Sequence, residues 1–341
     1  ASTIHSKLQL ASEQEDNPAS DPIDSKIVVV DELSMCDSYI FYMLMKYTSY
    51  SSRIILIGDA EQLPSVAAGN VLFELLKSKA VPVVRLSAVY RQGQQSLIVT
   101  NCELIKHNSS DLRYGDDFSF VATDNQAETA NTIISIYQSA LTVGGQTLDD
   151  IQVLCPSLKR EMGTVNVNNL IQQRLNPPAL GKREMKQRGF ILREGDKVMQ
   201  IKNNYDLMWE RDDGSDGTGV FNGDVGILIS VDIKSDRIVV RFDDRNAFYT
   251  FDDAEQLELA YAVTVHKSQG SEFDCVILPV LDTPPQLKYR NLLYTAVTRA
   301  KKLLVLVGSA DVVNEMVHNN KRTRRYTGLK AMLAEDRNEK A

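Results

Sequence analysis

Asp31 and Glu32 stand side by side directly after a run of branched aliphatic residues, Lys26-Ile-Val-Val-Val30. Such a pair suits magnesium–nucleotide chemistry, in which one carboxylate holds the metal and its neighbour orients or deprotonates a water. The same two acids would also serve as a helix N-cap and a first-turn acid, because a helix is expected to begin near Ser34. The pattern returns in Arg53-Ile-Ile-Leu-Ile-Gly-Asp-Ala-Glu-Gln-Leu-Pro-Ser-Val66, where a second apolar run ends in polar groups.

Both runs read as strands buried on two faces, as in a parallel sheet whose carboxyl ends form the ligand-binding edge of an open α/β layer. Spacing predicts helices over 38–47 and 69–77, a third strand over 81–86, and helices over 96–106 and 127–140. Gly144-Gly145 breaks the pattern, and Ile151 to Pro156 opens a new buried strand. Short strands over 197–202, 226–231, 237–242 and 247–251, separated by Asp, Gly and Asn, suggest a small all-β barrel inserted in a second α/β domain. The α/β pattern resumes with a strand over 275–280, a helix over 292–301 and a strand over 303–308. Trp209, the single tryptophan, falls in an Asp/Gly-rich stretch read as a loop, and 9–25, acidic with two prolines, reads as a loop or small hairpin.

With 341 residues, 43% hydrophobic and 24% charged, the chain has material for two or three packed domains. No apolar run reaches bilayer length and no basic-then-apolar leader pattern opens the chain, so a soluble cytoplasmic protein is expected. Cys36, Cys102, Cys155 and Cys275 form no close pair, which disfavours a zinc site or a disulfide framework. A net charge of −7 and a pI near 5.3 argue against coating nucleic acid by bulk electrostatics. Between Lys159 and Lys202, however, ten basic residues face four acids, so any polyanion contact is expected to be local and salt-sensitive.

Five constellations fall in a fixed order: Asp31-Glu32; Gly58-Asp-Ala-Glu-Gln-Leu-Pro64; Val89-Tyr-Arg-Gln92; Thr264-Val-His-Lys-Ser-Gln-Gly-Ser-Glu272; and Tyr294-Thr-Ala-Val-Thr-Arg-Ala300. At these residues the chain resembles the RecD-like branch of superfamily 1B DNA helicases, the exodeoxyribonuclease V alpha-subunit family. The resemblance covers nearly the whole chain, including Ser2-Thr-Ile-His5 and the segment from Lys202-Asn-Asn-Tyr205 to Asn222-Gly223. It implies two RecA-like parallel-sheet domains, the first incomplete (1–142), the second over 143–195 and 257–341, and an SH3-like all-β insertion over 196–256 in the second.

By the same resemblance Asp31 binds Mg2+, Glu32 orients the attacking water, and Gln62 senses the γ-phosphate of ATP. Arg91 and Arg299 close on that phosphate, a task suited to a planar fork that stays charged. Gly270 permits close backbone approach, while Thr264, His266, Lys267, Ser268 and Gln269 offer donors to the phosphates of a single strand of DNA, with Glu272 reaching the ribose. Thr3 and His5 resemble a further DNA-facing loop, and Asn203, Asn204, Tyr205 and Asn222 the base of the insertion. Structural readings stand beside these: a turn residue for Gln62, a helix C-terminal dipole partner or a surface ion pair for Arg299, a satisfied structural histidine for His266, and closure of the barrel core for Tyr205.

What the resemblance implies as a whole is an ATP-dependent, 5′ to 3′ helicase or translocase on single-stranded DNA, monomeric or joined to RecB/RecC-like nuclease subunits, in recombination and repair. Two departures qualify it. No Gly-x-x-x-x-Gly-Lys-Ser/Thr phosphate loop occurs in the 341 residues, and the chain opens on Ala1 rather than Met. A truncated chain that neither binds ATP tightly nor hydrolyses it is therefore expected. Residues 9–25 also lack the aromatic or basic tip of a strand-separating wedge, so translocation is the firmer expectation than unwinding. A non-catalytic strand-binding or partner-binding subunit and an RNA-directed helicase are the alternatives.

Overall fold

The computed structural model describes residues 2–8, 10, 22–86, 96–187, 189–320 and 327–339. It divides into two compact units, Ala1–Arg91 with Lys321–Ala341, and Gln92–Asn320. No helix among the described residues is long and apolar enough to cross a membrane.

The first unit opens with a short helix α1 (Ile4–Leu8), followed by β1 (Ile27–Val30), α2 (Ser38–Lys46), β2 (Arg53–Leu56) and α3 (Val71–Ser78). β1 and β2 pair in parallel, Ile27 opposite Arg53 and Val30 opposite Leu56. Because strand side chains alternate between faces, Val28, Val30, Ile54 and Leu56 pack on a core built from Leu8, Leu33, Ile40, Met43, Leu44, Val71 and Leu75. The opposite face departs from the expected double burial: Ile27 and Val29 are each 58% exposed, and Ile55 and Ile57 are exposed as well. One packed layer covers this strand pair, so the aliphatic run serves one face where the sequence suggested two.

The expected strand over 81–86 is irregular and exposed, with Val84 and Leu86 almost fully open to solvent. Pro82 donates no ladder hydrogen bond, and 81–86 has no partner among the described strands.

In the second unit α4 (Leu97–Lys106), β3 (Phe118–Ala122), α5 (Gln126–Thr142), β4 (Ile151–Cys155) and α6 (Thr164–Leu175) lead to a hairpin, β5 (Glu184–Gln187) with β6 (Phe190–Arg193). Six strands follow: β7 (Lys197–Gln200), β8 (Asn204–Arg211), β9 (Asp216–Val220), β10 (Val225–Asp232), β11 (Arg237–Phe242) and β12 (Arg245–Tyr249). The chain returns through β13 (Leu257–Leu259), β14 (Ala262–Thr264), β15 (Phe273–Val280), α7 (Arg290–Val297), β16 (Ala300–Gly308) and α8 (Ala310–His318). A last helix, α9 (Leu329–Glu339), belongs to the first unit, where Glu74 of α3 accepts from Thr327 and Lys330.

Five of these strands form a parallel sheet in the order β14-β4-β15-β16-β3, and seven form an antiparallel sheet in the order β13-β7-β10-β11-β12-β8-β9. Residues 96–142, placed with the first layer by the sequence, fold with the second unit. β3 pairs with β16 from Leu304↔Phe118 to Gly308↔Ala122, and α5 buries Ile133 and Tyr137 in the same core. The helix expected over 292–301 ends at Val297, and Lys301 already lies in β16. Trp209 sits in strand β8. A single core runs from the parallel sheet (Val153, Ile277, Val305) into the antiparallel one (Val198, Leu228, Val240, Tyr249).

Buried polar side chains tie the insertion to the parallel sheet at both crossings. On the outgoing strand, the fully buried Asp196 accepts from Gln172, Asn176, the Arg193 amide and Tyr261, and burial nonetheless pushes its carboxyl up. Lys197, also fully buried, donates to Leu148 O (2.7 Å), Ile151 O (2.9 Å) and Gln152 Oε1 (3.0 Å). On the return, Asn168 bonds Leu259 O and both backbone groups of Ala262. Each buried polar atom thus meets a partner it would otherwise miss at a cost of about 1–3 kcal/mol.

Candidate functional site

In the first unit the parallel register delivers Asp31-Glu32 and Gly58-Asp59 from the carboxyl ends of neighbouring strands. Leu33 N donates to Ile57 O (2.9 Å), drawing the two strand exits together. Gly58 fits this approach: a Cβ there would stand 3.2 Å from the amide nitrogens of Leu33 and Ser34 and 2.9 Å from Leu72 Cδ2. Glu32 turns through φ 52°, ψ 40°, a left-handed conformation that costs a non-glycine residue on the order of 1–3 kcal/mol and is concentrated at functional turns.

The cap of α2 is Asp37, whose Oδ1 accepts from Ile40 N at 2.8 Å, and Glu32 makes no side-chain cap bond to the 3-10 turn Leu33–Met35. Asp31 is exposed, with Oδ1 accepting from Glu32 N at 2.8 Å. Magnesium suits this donor set, since it commonly binds through one or two carboxylates and keeps water and phosphate for its other positions. No group of three or more His, Cys, Asp or Glu able to hold a metal occurs among the described residues. Gln62 is half-buried in the turn after β2, where its backbone N–H donates to Asp59 O (3.3 Å). Thr3 caps α1, accepting from Ser6 N (3.1 Å), and His5 is exposed on that helix.

In the second unit β14 runs beside β4, Thr264 opposite Cys155, so the Thr264–Glu272 loop leaves the sheet at its carboxyl edge. Thr264 Oγ1 accepts from Lys267 N, and Ser268, 1% exposed, donates its hydroxyl to Val265 O. Lys267 is an exposed cation paired with Glu258 at 3.1 Å. Burial pulls the His266 imidazole below its ordinary range, so it stands neutral at pH 7. Gly270 adopts φ +79° with no atom within 4 Å of a built Cβ. Arg299, 4% exposed, donates Nε to Thr295 O (3.2 Å), Nη1 to Ser271 O (3.2 Å) and Nη2 to Thr298 Oγ1 (3.3 Å).

The insertion places Tyr205 in the open. It is 50% exposed and meets Phe221, 40% exposed, edge to face at 5.5 Å between centroids, which disfavours the core-closing reading. Asn203 Oδ1 accepts from Asn222 N (3.0 Å), joining the two ends of this corner, and Asn204 donates to Gln256. Trp209 is spent inside: its ring lies over Gly217 and beneath the Arg211 guanidinium at 4.7 Å. Over 196–256 fourteen acids face seven bases, a deficit equal to the −7 of the whole chain.

Comparison with known proteins bears on this arrangement. An AAA domain model matches residues 1–127, the ATP-dependent RecD-like DNA helicase SH3 domain model 167–242, and the UvrD-like helicase C-terminal domain model 259–307. The ATP-dependent RecD2 DNA helicase of Deinococcus radiodurans is 29% identical over 91% of this chain and 40% of its own length. The RecBCD enzyme subunit RecD of Mycobacterium tuberculosis is 29% identical over 90% of this chain and 53% of its own length. The chain is similar to the RecD-like superfamily 1B helicases. It spans about half the length of the curated relatives it matches. The crystal structure of a Pif1 helicase from Bacteroides in complex with ADP-AlF3 and ssDNA shares the fold, at 17% identity and TM-score 0.51 over 99% of this chain and 83% of that one.

Within this chain the structure gathers the expected residues into two sets. Asp31, Glu32 and Gln62 share the strand ends of the first unit; Thr264, His266, Lys267, Ser268, Gln269, Gly270, Glu272 and Arg299 share one edge of the second. Arg91 lies outside the described residues. Two neighbours were missed by sequence reasoning. Phe221 was signalled by its place before Asn222-Gly223, and the loop 156–163 by a strand ending at Pro156 before a helix whose N-cap is Gly163. That loop leaves β4 beside β14, so Lys159 enters on the same sheet edge as Lys267.

Proposed function

We propose that this chain is the motor portion of an ATP-driven, 5′ to 3′ helicase that translocates on single-stranded DNA, in the recombination and repair role of the RecD-like family. The observation that carries the reading is the acid pair at the end of β1, which no helix uses as a cap: Asp37 does that work. Asp31 holds Mg2+, Glu32 orients the attacking water from its strained turn, and Gln62 at the end of the neighbouring strand reports on the γ-phosphate. Magnesium, when bound, neutralises charge on the phosphate oxygens during transfer.

Arg91 and Arg299 are the arginines assigned to the γ-phosphate, and the Thr264–Glu272 loop, with Lys267 exposed, offers donors to the strand. Tyr205 with Phe221 supplies a stacking corner; base stacking on an aromatic contributes about 1–3 kcal/mol. Thr3 and His5 are the strand contacts proposed for the first unit, and Asn203, Asn204 and Asn222 those proposed for the second. The proposed division redraws the first RecA-like domain to 1–91 with 321–341 and the second to 92–195 and 257–320, keeps the insertion over 196–256, and takes a soluble cytoplasmic monomer or a RecB/RecC-like complex as the working assembly.

Since no phosphate loop occurs in the 341 residues, this polypeptide alone is expected to show no strand-stimulated ATP turnover above its Glu32→Gln variant. A longer polypeptide carrying that loop should hydrolyse ATP when single-stranded DNA is added, and lose at least a hundredfold of the rate on Glu32→Gln. Turnover that the variant leaves intact would refute the assignment. Absence of turnover in the longer polypeptide would favour a strand-binding subunit, and stimulation by RNA equal to that by DNA would redirect the substrate.

A further inference from the structure

We propose that Arg299 is a positioning residue for the Thr264–Glu272 loop, latching it from inside the second unit. The proposal rests on the reading of that loop as the single-strand contact. Arg299 brackets Glu272 with two bonds: its Nη1 donates to Ser271 O at 3.2 Å, and its own carbonyl accepts from Phe273 N at 2.9 Å. The second bond belongs to the β15–β16 sheet margin, where Phe273 faces Ala300. The first is made by a side chain and can open without disturbing the sheet.

From Ser271 the bonding continues into the loop. Ser271 N donates to Ser268 O (3.0 Å), Ser268 N to Thr264 O (3.1 Å), and the buried Ser268 hydroxyl to Val265 O (2.9 Å). Between Ser268 and Ser271 stands Gly270, at φ +79° with open space around it, the one loop position where the backbone can rotate freely once its neighbour is released. The guanidinium is itself aimed by the end of α7, through Thr295 O and Thr298 Oγ1. A forked donor set fits these divergent acceptors, and a lysine ammonium on a flexible stem does not reproduce it. The three bonds use three of the five guanidinium N–H groups, so the loop's geometry depends on how Arg299 is held.

The test uses the full 341-residue chain without nucleotide. Binding of a fluorescein-labelled oligo-dT is measured by anisotropy for the parent, Arg299→Lys and Thr298→Val, with amide hydrogen exchange on each. The latch predicts binding weakened by roughly tenfold in Arg299→Lys and by less in Thr298→Val. Exchange should quicken at Ser268–Phe273 while Ile277 and Val305 keep their protection. Unchanged affinity and unchanged loop exchange in Arg299→Lys overturn it, as does exchange that rises throughout the sheet, which would make Arg299 a general structural residue. If the parent does not bind oligo-dT, the single-strand reading fails by itself, and the exchange pattern still decides the latch.

Discussion

Lys267 and Glu258 form a surface ion pair beside the Thr264–Glu272 loop. The lysine proposed to meet a phosphate is held at 3.1 Å by a carboxylate of β13, both side chains being more than a third exposed. Such a surface pair contributes little to stability, about 0–1 kcal/mol, yet it competes directly with a polyanion. Glu258→Gln should therefore leave the melting temperature nearly unchanged while strengthening oligo-dT binding several-fold at low salt, with the gain vanishing near 0.5 M salt. Binding by Glu258→Gln no tighter than the parent's at low salt would remove Lys267 from the strand path. His266, neutral through burial, adds no charge to that path above pH 7, so strand affinity should not gain a histidine-linked step until the pH falls below its ordinary range.

The placement of the candidate residues was legible because each chemistry-bearing type sat at a strand end: the acids after Val30, Gln62 after Leu56, the short polar run after Val263. What the residue types could not disclose is direction. Nothing in Thr-Val-His-Lys-Ser says that Ser268 turns its hydroxyl inward to Val265, or that Arg299 folds back on Ser271. Those follow from the local winding of the loop, a property of backbone dihedrals.

Elements were read well where one period dominated. α2, α3, α4 and α5 lie within a few residues of their expected spans, and β4, β15 and β16 formed where continuous apolar runs stood. The β8–β9 ribbon was missed because its strands carry Asp206, Glu210, Asp216, Gly217 and Gly219, composition that reads as loop; pairing and the Trp209 ring over Gly217 override that propensity. The strand expected over 81–86 failed for the converse reason: its branched residues had the propensity and no partner strand.

Two substitutions probe elements rather than site chemistry. Asp37→Ala should cost α2 about 1 kcal/mol, read as a lowered denaturation midpoint of the first unit. The acid pair beside it should keep its metal response, since Asp37 caps the helix that follows. Gly226→Ala should destabilise the insertion by roughly 1–3 kcal/mol, because the added methyl would stand 2.4 Å from Arg241 O and 2.8 Å from Phe242 Cδ1 in the paired strand. Melting at the parent's temperature would show that β10 and β11 part more readily than their register suggests.

For the molecule as a whole the pH dependence of the second unit follows from Lys197. Burial pushes its ammonium down to about 8, and in the unfolded chain an exposed lysine titrates near the usual value of about 10.4. Between those values unfolding takes up a proton, so this residue's contribution to stability rises as pH climbs, and its penalty is fully present below about pH 8. Buried Cys155 and Cys275 thiols, pushed up by burial, act in the opposite sense above pH 8.5, so the comparison is made against a variant. Relative to Lys197→Met, the parent should gain stability between pH 7.5 and 9.5 in urea titrations of otherwise identical samples; parallel curves would show that Lys197 is solvated. The single core running from the parallel sheet into the insertion also predicts one cooperative transition for both.

The open side of the β1–β2 pair bears on how the protein keeps. Ile27, Val29, Ile55 and Ile57 form an aliphatic strip on two strands, with no further strand joining that sheet among the described residues. Pairable backbone beside branched aliphatics is the material from which ordered aggregates grow. Solutions of this chain should therefore scatter light progressively with concentration and time, and Val29→Lys, placed on the exposed side, should lengthen their shelf life without moving the transition of the second unit.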